Sequence, residues 1–160
     1  MKILGIDPGY AILGWSVITG DLKLIDYGVI TTDSGDEFSE RIYCVHRELS
    51  EIITRYRPEE AGIEKLFFAK NSSTALSVAQ TVGAVVLSLR ISGVTFREYT
   101  PLQIKRAITG YGRAAKPQMQ SVLKTIFGLE ALPRPDDAAD ALAVAVCHSL
   151  NNRFCSGRLK

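Results

Sequence analysis

Cysteine is scarce in this chain: Cys44, Cys147 and Cys155 are odd in number and lack metal-ligand spacing. That excludes a disulfide framework and a thiolate zinc site, and reads as free thiols in a reducing compartment. No apolar run has the length and freedom from charge of a membrane span. The N-terminal "MKILGIDPG" has no signal-peptide pattern, because Asp7 and Pro8 interrupt its apolar stretch at once. Together these absences lead to the expectation of a cytoplasmic protein. There is also no internal repeat and no low-complexity linker. Neither sign of charge dominates; the formal total is +2. The basic residues gather instead in Lys105–Lys116 and in the terminal "NNRFCSGRLK". What is present is ordinary globular material: 160 residues, 46% hydrophobic and 22% charged, enough for one domain with a real core.

Short apolar runs come first. "KILGID" stops at Pro8-Gly9 and reads as a buried strand and a turn. "LGWSVITG" and "LKLIDYGVITT" are two more strands, with Gly20-Asp21 between them. Phe38, Ile42, Val45, Leu49, Ile52, Ile53 and Tyr56 recur at steps of three and four, which predicts an amphipathic helix ended by Pro58. "AGIE" and "VTFREY" are further strands. Thr100, Pro101 and Gln103 form a capping-box-like helix start. A helix over about Pro117–Phe127 ends at Gly128, and the alanine-rich "DDAADALAVAV" starts a last helix near Asp136, after Pro133 and Pro135. Early hairpins followed by alternating elements predict a mixed sheet flanked by helices.

Asn71–Leu89 has no charged residue and is apolar on more than one side of a helix. A central helix inside the domain and a homodimer interface explain it equally well.

Four acids sit where acids are awkward. Asp137 and Asp140 lie one turn apart on one face of an alanine helix, where like charges repel. First-turn capping explains Asp136 well, Asp137 adequately and Asp140 poorly. Asp7 ends one strand and Glu64 another, and each has a glycine two positions earlier on the same strand face: Gly5 and Gly62. Small residues there let another element pack close, and the alanine-rich face carrying Asp137 and Asp140 is a natural candidate. Four converging carboxylates repel severely unless a cation is bound. Oxygen ligands suit Mg2+ or Mn2+, not zinc, and two such ions can activate a water for phosphodiester hydrolysis.

"GIDPG", "IEKLFFAKN", "KRAITGYGRAAKPQM" and "DDAADALAVAVCH", in that order, resemble the motifs of the RuvC family, bacterial Holliday-junction resolvases. The likeness runs from about Lys2 to Leu150. It implies an α/β, RNase H-like fold: a mixed five-stranded sheet flanked by helices on both faces. It implies a homodimer that nicks two opposed strands of a four-way DNA junction and works with the RuvA–RuvB branch-migration machinery. By motif, the catalytic, metal-binding carboxylates are Asp7, Glu64, Asp137 and Asp140, holding Mg2+ or Mn2+, with two ions expected. Phe67 matches the family's aromatic at the junction centre. Lys105 and Lys116 match basic residues for DNA contact or catalysis, and Arg113 joins them in the DNA-binding set. Lys65 after Glu64 departs from the Gln or Glu expected there. Residues 1–150 are then the nuclease domain, and 151–160 a basic, flexible tail.

The residues themselves leave some roles open. One of Phe67 and Phe68 is expected in the core. "TGYGRAAK" is either a solvated loop or a phosphate-contacting one. His46 and His148 read as structural or surface residues. An actin-like ATPase shares a "GIDPG"-like turn, but needs two such lobes, for which 160 residues are too few. An RNA-processing nuclease of the YqgF group and a junction-binding module without catalysis are the other readings. "FFAKN" and "DDAADALA" speak against the first, and the four intact acids against the second.

Overall fold

The order of elements explains the sheet. A computed structural model of the chain describes residues 1–66 and 75–155. Three strands come first: β1 (Lys2–Asp7), β2 (Ile12–Thr19) and β3 (Leu24–Thr31). Their short connections make an antiparallel meander. Helix α1 (Phe38–Tyr56) then carries the chain over the sheet to β4 (Glu60–Glu64), which pairs parallel with β1. Helix α2 (Ala75–Ile91) leads to β5 (Thr95–Tyr99), parallel to β4. The result is the expected mixed five-stranded sheet, in the order β3-β2-β1-β4-β5. Three helices follow: α3 (Pro101–Thr109), α4 (Lys116–Phe127) and α5 (Asp136–Cys155).

The period of two in each strand feeds two cores. Leu4, Ile6, Val17, Ala61 and Ile63 meet Val45, Leu49 and Ile53 of α1 and Val85 and Leu89 of α2. Ile3 and Ile18 face the other way, onto α3, α4 and α5. Helices therefore cover both faces of the sheet.

The local signals mostly hold. Thr100 and Gln103 form the full capping box of α3. Helix α1 ends at Arg57, left-handed at φ 51°, whose N–H reaches the Ile53 carbonyl, so the stop precedes Pro58. Buried Arg41 joins the core stripe of α1 because its guanidinium lies 3.7 Å from the centre of the Tyr10 ring and bonds Thr32.

Helix α2 buries one apolar face and leaves another exposed. Val85 and Leu89 enter the core, whereas Leu76, Leu87 and Ile91 are 71%, 57% and 69% exposed. Residues 71–74 of that segment lie outside the described residues.

Helix α5 is the centre of the second layer. Residues Ala141 to Ser149 are buried without a break, and each large apolar side chain such as Leu142 contributes roughly 2 kcal/mol by burial. The expected boundary at Leu150 does not end the helix, which continues to Cys155. Asn151 donates to the Cys147 carbonyl at 2.8 Å, and Asn152 donates to Glu60 of β4, so polar side chains carry the helix past its apolar stretch.

Candidate active site

Strand register brings the acids to one edge of the α5 face. Gly5 pairs with Ser16 and Gly62, and Asp7 with Gly14. Alternation puts Gly5 and Asp7 of β1, Gly62 and Glu64 of β4, and Gly14 and Ser16 of β2 on the same side. The glycines are where α5 touches the sheet. A Cβ at Gly5 would collide with the Ala141 carbonyl and lie 2.8 Å from the Ala145 Cβ. At Gly62 it would meet Val144 and His148, both at 3.1 Å. Ser16 donates to the Ala141 carbonyl at 2.9 Å. The close approach inferred from Gly5 and Gly62 is thus real. It seats the first turns of α5, with Asp137 and Asp140, over the ends of β1 and β4.

The electrostatics record the convergence. Burial, then Glu64, Asp140 and Asp137, push Asp7 up to about 8. Burial, then Asp140, raises Glu64, although a hydrogen bond with Asp7 opposes it. Burial also raises Asp140, outweighing Lys116. Lys116, the first residue of α4, sets its Nζ 2.8 Å from Asp140 Oδ2 and 3.5 Å from Asp136 Oδ2. Burial pulls the Lys116 ammonium down, but the two carboxylates together carry it above its ordinary value. Asp136 is itself held by Gln120 Nε2 at 3.0 Å and by Arg134.

Among the described residues, no three His, Cys, Asp or Glu side chains are drawn tightly enough to ligate one ion as they stand. Asp7 and Glu64 bond each other, and Lys116 occupies Asp140. The donor set nevertheless fits a hard divalent cation. It is all carboxylate and partly buried, and burial raises Asp7, Glu64 and Asp140 alike, a penalty on their charged forms that a bound cation would offset. Beside it opens a cleft of about 270 Å³ lined by Glu64, Lys105, Lys116 and Asp140, with Ile104 and Met119 as its apolar wall.

A family model described as "Crossover junction endodeoxyribonuclease RuvC" matches residues 3–148. The chain belongs to the RuvC family. Among curated relatives, the RuvC of Ruminiclostridium cellulolyticum is 47% identical over 96% of this chain and 95% of its own. That of Alkaliphilus oremlandii is 49% identical over 96% of each. The Thermus thermophilus RuvC solved with a Holliday junction substrate superposes with a TM-score of 0.92 at 36% identity, over 98% of this chain and 97% of that one. Family membership makes the chain a crossover junction endodeoxyribonuclease with an RNase H-like fold.

Against the RuvC motifs, the fold brings Asp7, Glu64, Asp137, Asp140, Lys105 and Lys116 together at the C-terminal ends of the internal strands β1 and β4. Arg113 is exposed on the connection between α3 and α4. Phe67 and Phe68 lie outside the described residues. Three residues have partners that the sequence does not show. Gly14 lies under the Asp137 carbonyl, so a Cβ there would collide with it. Asp136 was legible only as a cap, yet it pairs with Lys116 across two helices. His148, fully buried, ties Tyr99 of β5 to Glu60 of β4 through its two ring nitrogens at 3.0 and 2.8 Å. Cys44 and Cys147 are free thiols, and burial pushes Cys147 up to about 12, far from reactivity. No described helix is long and apolar enough to cross a membrane.

Proposed function

We propose that this chain resolves four-way DNA junctions by paired nicks in two opposed strands, with Asp7, Glu64, Asp137 and Asp140 as its metal-binding catalytic carboxylates. The observation that carries the reading is the gathering of these acids around the buried Asp7, where burial first and then the other three carboxylates hold its carboxyl protonated to about 8. Mg2+ or Mn2+, two ions per site, would be held by the four acids. When bound, the metal supplies an activated water and stabilises the leaving oxygen.

The chain's own residues do the rest. Glu64 and Asp140 line the cleft that receives the scissile phosphate. Lys105 and Lys116 on its wall attract that phosphate, and exposed Arg113 extends the basic surface along the backbone. Phe67, three residues after Glu64, opens the junction centre by unstacking bases. The apolar outer face of α2 pairs two copies, so that two sites reach two strands. Cooperation with RuvA–RuvB and a cytoplasmic setting complete the reading. The solved Thermus thermophilus complex with a Holliday junction supports the substrate.

The test is cleavage of a synthetic four-way junction beside linear duplex and structured RNA, with Mg2+ or Mn2+. The junction alone should be cut, at symmetric positions. Asp7→Asn should abolish cutting and leave junction binding largely intact. Equal cutting of linear duplex, or full activity in folded Asp7→Asn, overturns the assignment.

A further inference from the structure

Lys116 is placed between two carboxylates that do different jobs. On α4, Lys116 and Gln120 are four residues apart; on α5, so are Asp136 and Asp140. The two helices pair them crosswise, Lys116 with Asp140 and Gln120 with Asp136. Asp140 belongs to the acid cluster around Asp7. Asp136 is not among the leading charges on Asp7; it acts on Asp140, and its own partners are Gln120 and Arg134.

The two oxygens of Asp136 are divided. Oδ1 accepts from buried Gln120 and from Arg134, which fixes the carboxylate. Oδ2 is turned to Lys116, 3.5 Å from its Nζ, slightly beyond a hydrogen bond. An ammonium bonded to Asp140 Oδ2 competes with a divalent cation for that oxygen. A second fixed carboxylate within a short swing of the lysine stem lowers the barrier to giving Asp140 up. It also keeps the displaced ammonium at the rim of the cleft.

We propose that Asp136 is a positioning residue: it receives Lys116 when Asp140 turns to a metal ion, and so sets how hard Lys116 competes with metal for Asp140. This rests on the reading of the four acids as a metal site. Without Asp136, Lys116 has only Asp140 as its carboxylate partner in this pair, and metal must break that contact outright.

The experiment measures Mn2+ binding to the intact protein without DNA, by loss of the free Mn2+ electron paramagnetic resonance signal. Asp136→Asn should weaken Mn2+ binding by about three- to fivefold, the size of one exposed ion pair. Asp136→Glu, which restores a carboxylate, should recover most of the loss. The Mn2+ concentration for half-maximal junction cleavage should rise in step. In a Lys116→Gln background, Asp136→Asn should change Mn2+ binding by less than about 1.5-fold, because the competing ammonium is gone. An unchanged affinity in Asp136→Asn overturns the proposal. So does an equal loss in both backgrounds, which would be simple removal of a nearby negative charge. If the unaltered protein binds no Mn2+, the four-acid reading fails instead, and the two failures are told apart.

Discussion

Gly14 of β2 lies so close under the Asp137 carbonyl that no methyl group fits between them. The contact is with backbone, which cannot swing aside as a side chain can. Gly14→Ala should therefore lift the first turn of α5 from the sheet. Overpacking of this kind costs about 1–3 kcal/mol. The expected outcome is a lower melting temperature and at least a tenfold loss of junction cleavage. Gly35→Ala, in the connection before α1, is the control, since a Cβ there meets only the Asp33 side chain, at an ordinary 3.4 Å. Normal activity in Gly14→Ala would show that α5 tolerates the displacement.

Asp7 links stability to pH and to metal. Folded and metal-free, it keeps its proton up to about 8; unfolded, it releases it near the ordinary carboxylate value, about 4. Between those limits the folded state binds more protons than the unfolded state, so rising pH removes stability. Asp7→Asn cannot ionise. In chelator it should melt higher than the unaltered protein, with the gap widening from about pH 4 to about pH 8 to a few degrees. Saturating Mg2+ should reverse the order. Parallel melting curves across that range would place Asp7 outside a strained cluster.

His148 gives the opposite dependence. Burial, above all, holds it below its ordinary value despite Glu60. The ring is therefore neutral, accepting from the Tyr99 hydroxyl at Nδ1 and donating to Glu60 from Nε2. Its contribution is complete above the unfolded histidine pKa of about 6.5 and is lost as pH falls. Denaturant unfolding at about pH 7.5 and 5.5 checks this. His148→Gln should be less stable at the higher pH yet lose less between the two. An equal loss in both proteins would mean that His148 does not titrate with unfolding.

The exposed face of α2 is the proposed dimer seam. Leu87 is 57% exposed, so Leu87→Glu leaves the fold intact, whereas a charge at Val86, packed on the core, would not. Leu87→Glu should sediment as a monomer at micromolar concentration and bind junctions poorly, with an unchanged far-ultraviolet circular dichroism spectrum and a melting temperature that no longer depends on protein concentration. A dimer that survives this change would place the seam elsewhere.

What the sequence made legible was what periodicity and turn chemistry encode. Gly5 and Gly62 stood two residues before an acid at a strand end, and both are contact points for α5. The capping box at Thr100 and the stop at Gly128 were equally plain. Gly14 was not, because its meaning depends on its pairing with Asp7, a fact of register that composition does not carry. Asp136 was hidden behind a sufficient local explanation, since first-turn acids need no partner in another helix. His148 sits late in an apolar helix, and its partners Glu60 and Tyr99 are 88 and 49 residues away in the chain.

Helix α5 has a further consequence, for damage control. It carries two of the four proposed metal ligands and is also the buried stave on which the second core closes. Nuclease competence and a finished fold therefore arrive in a single event. A chain stalled during synthesis, or partly unfolded by stress, has β1 and β4 but no seated α5, and so holds Asp7 and Glu64 without the other half of the site. An enzyme whose errors would be breaks in the chromosome thus has a safeguard within its own architecture: a misassembled copy is disarmed by the defect that makes it misassembled.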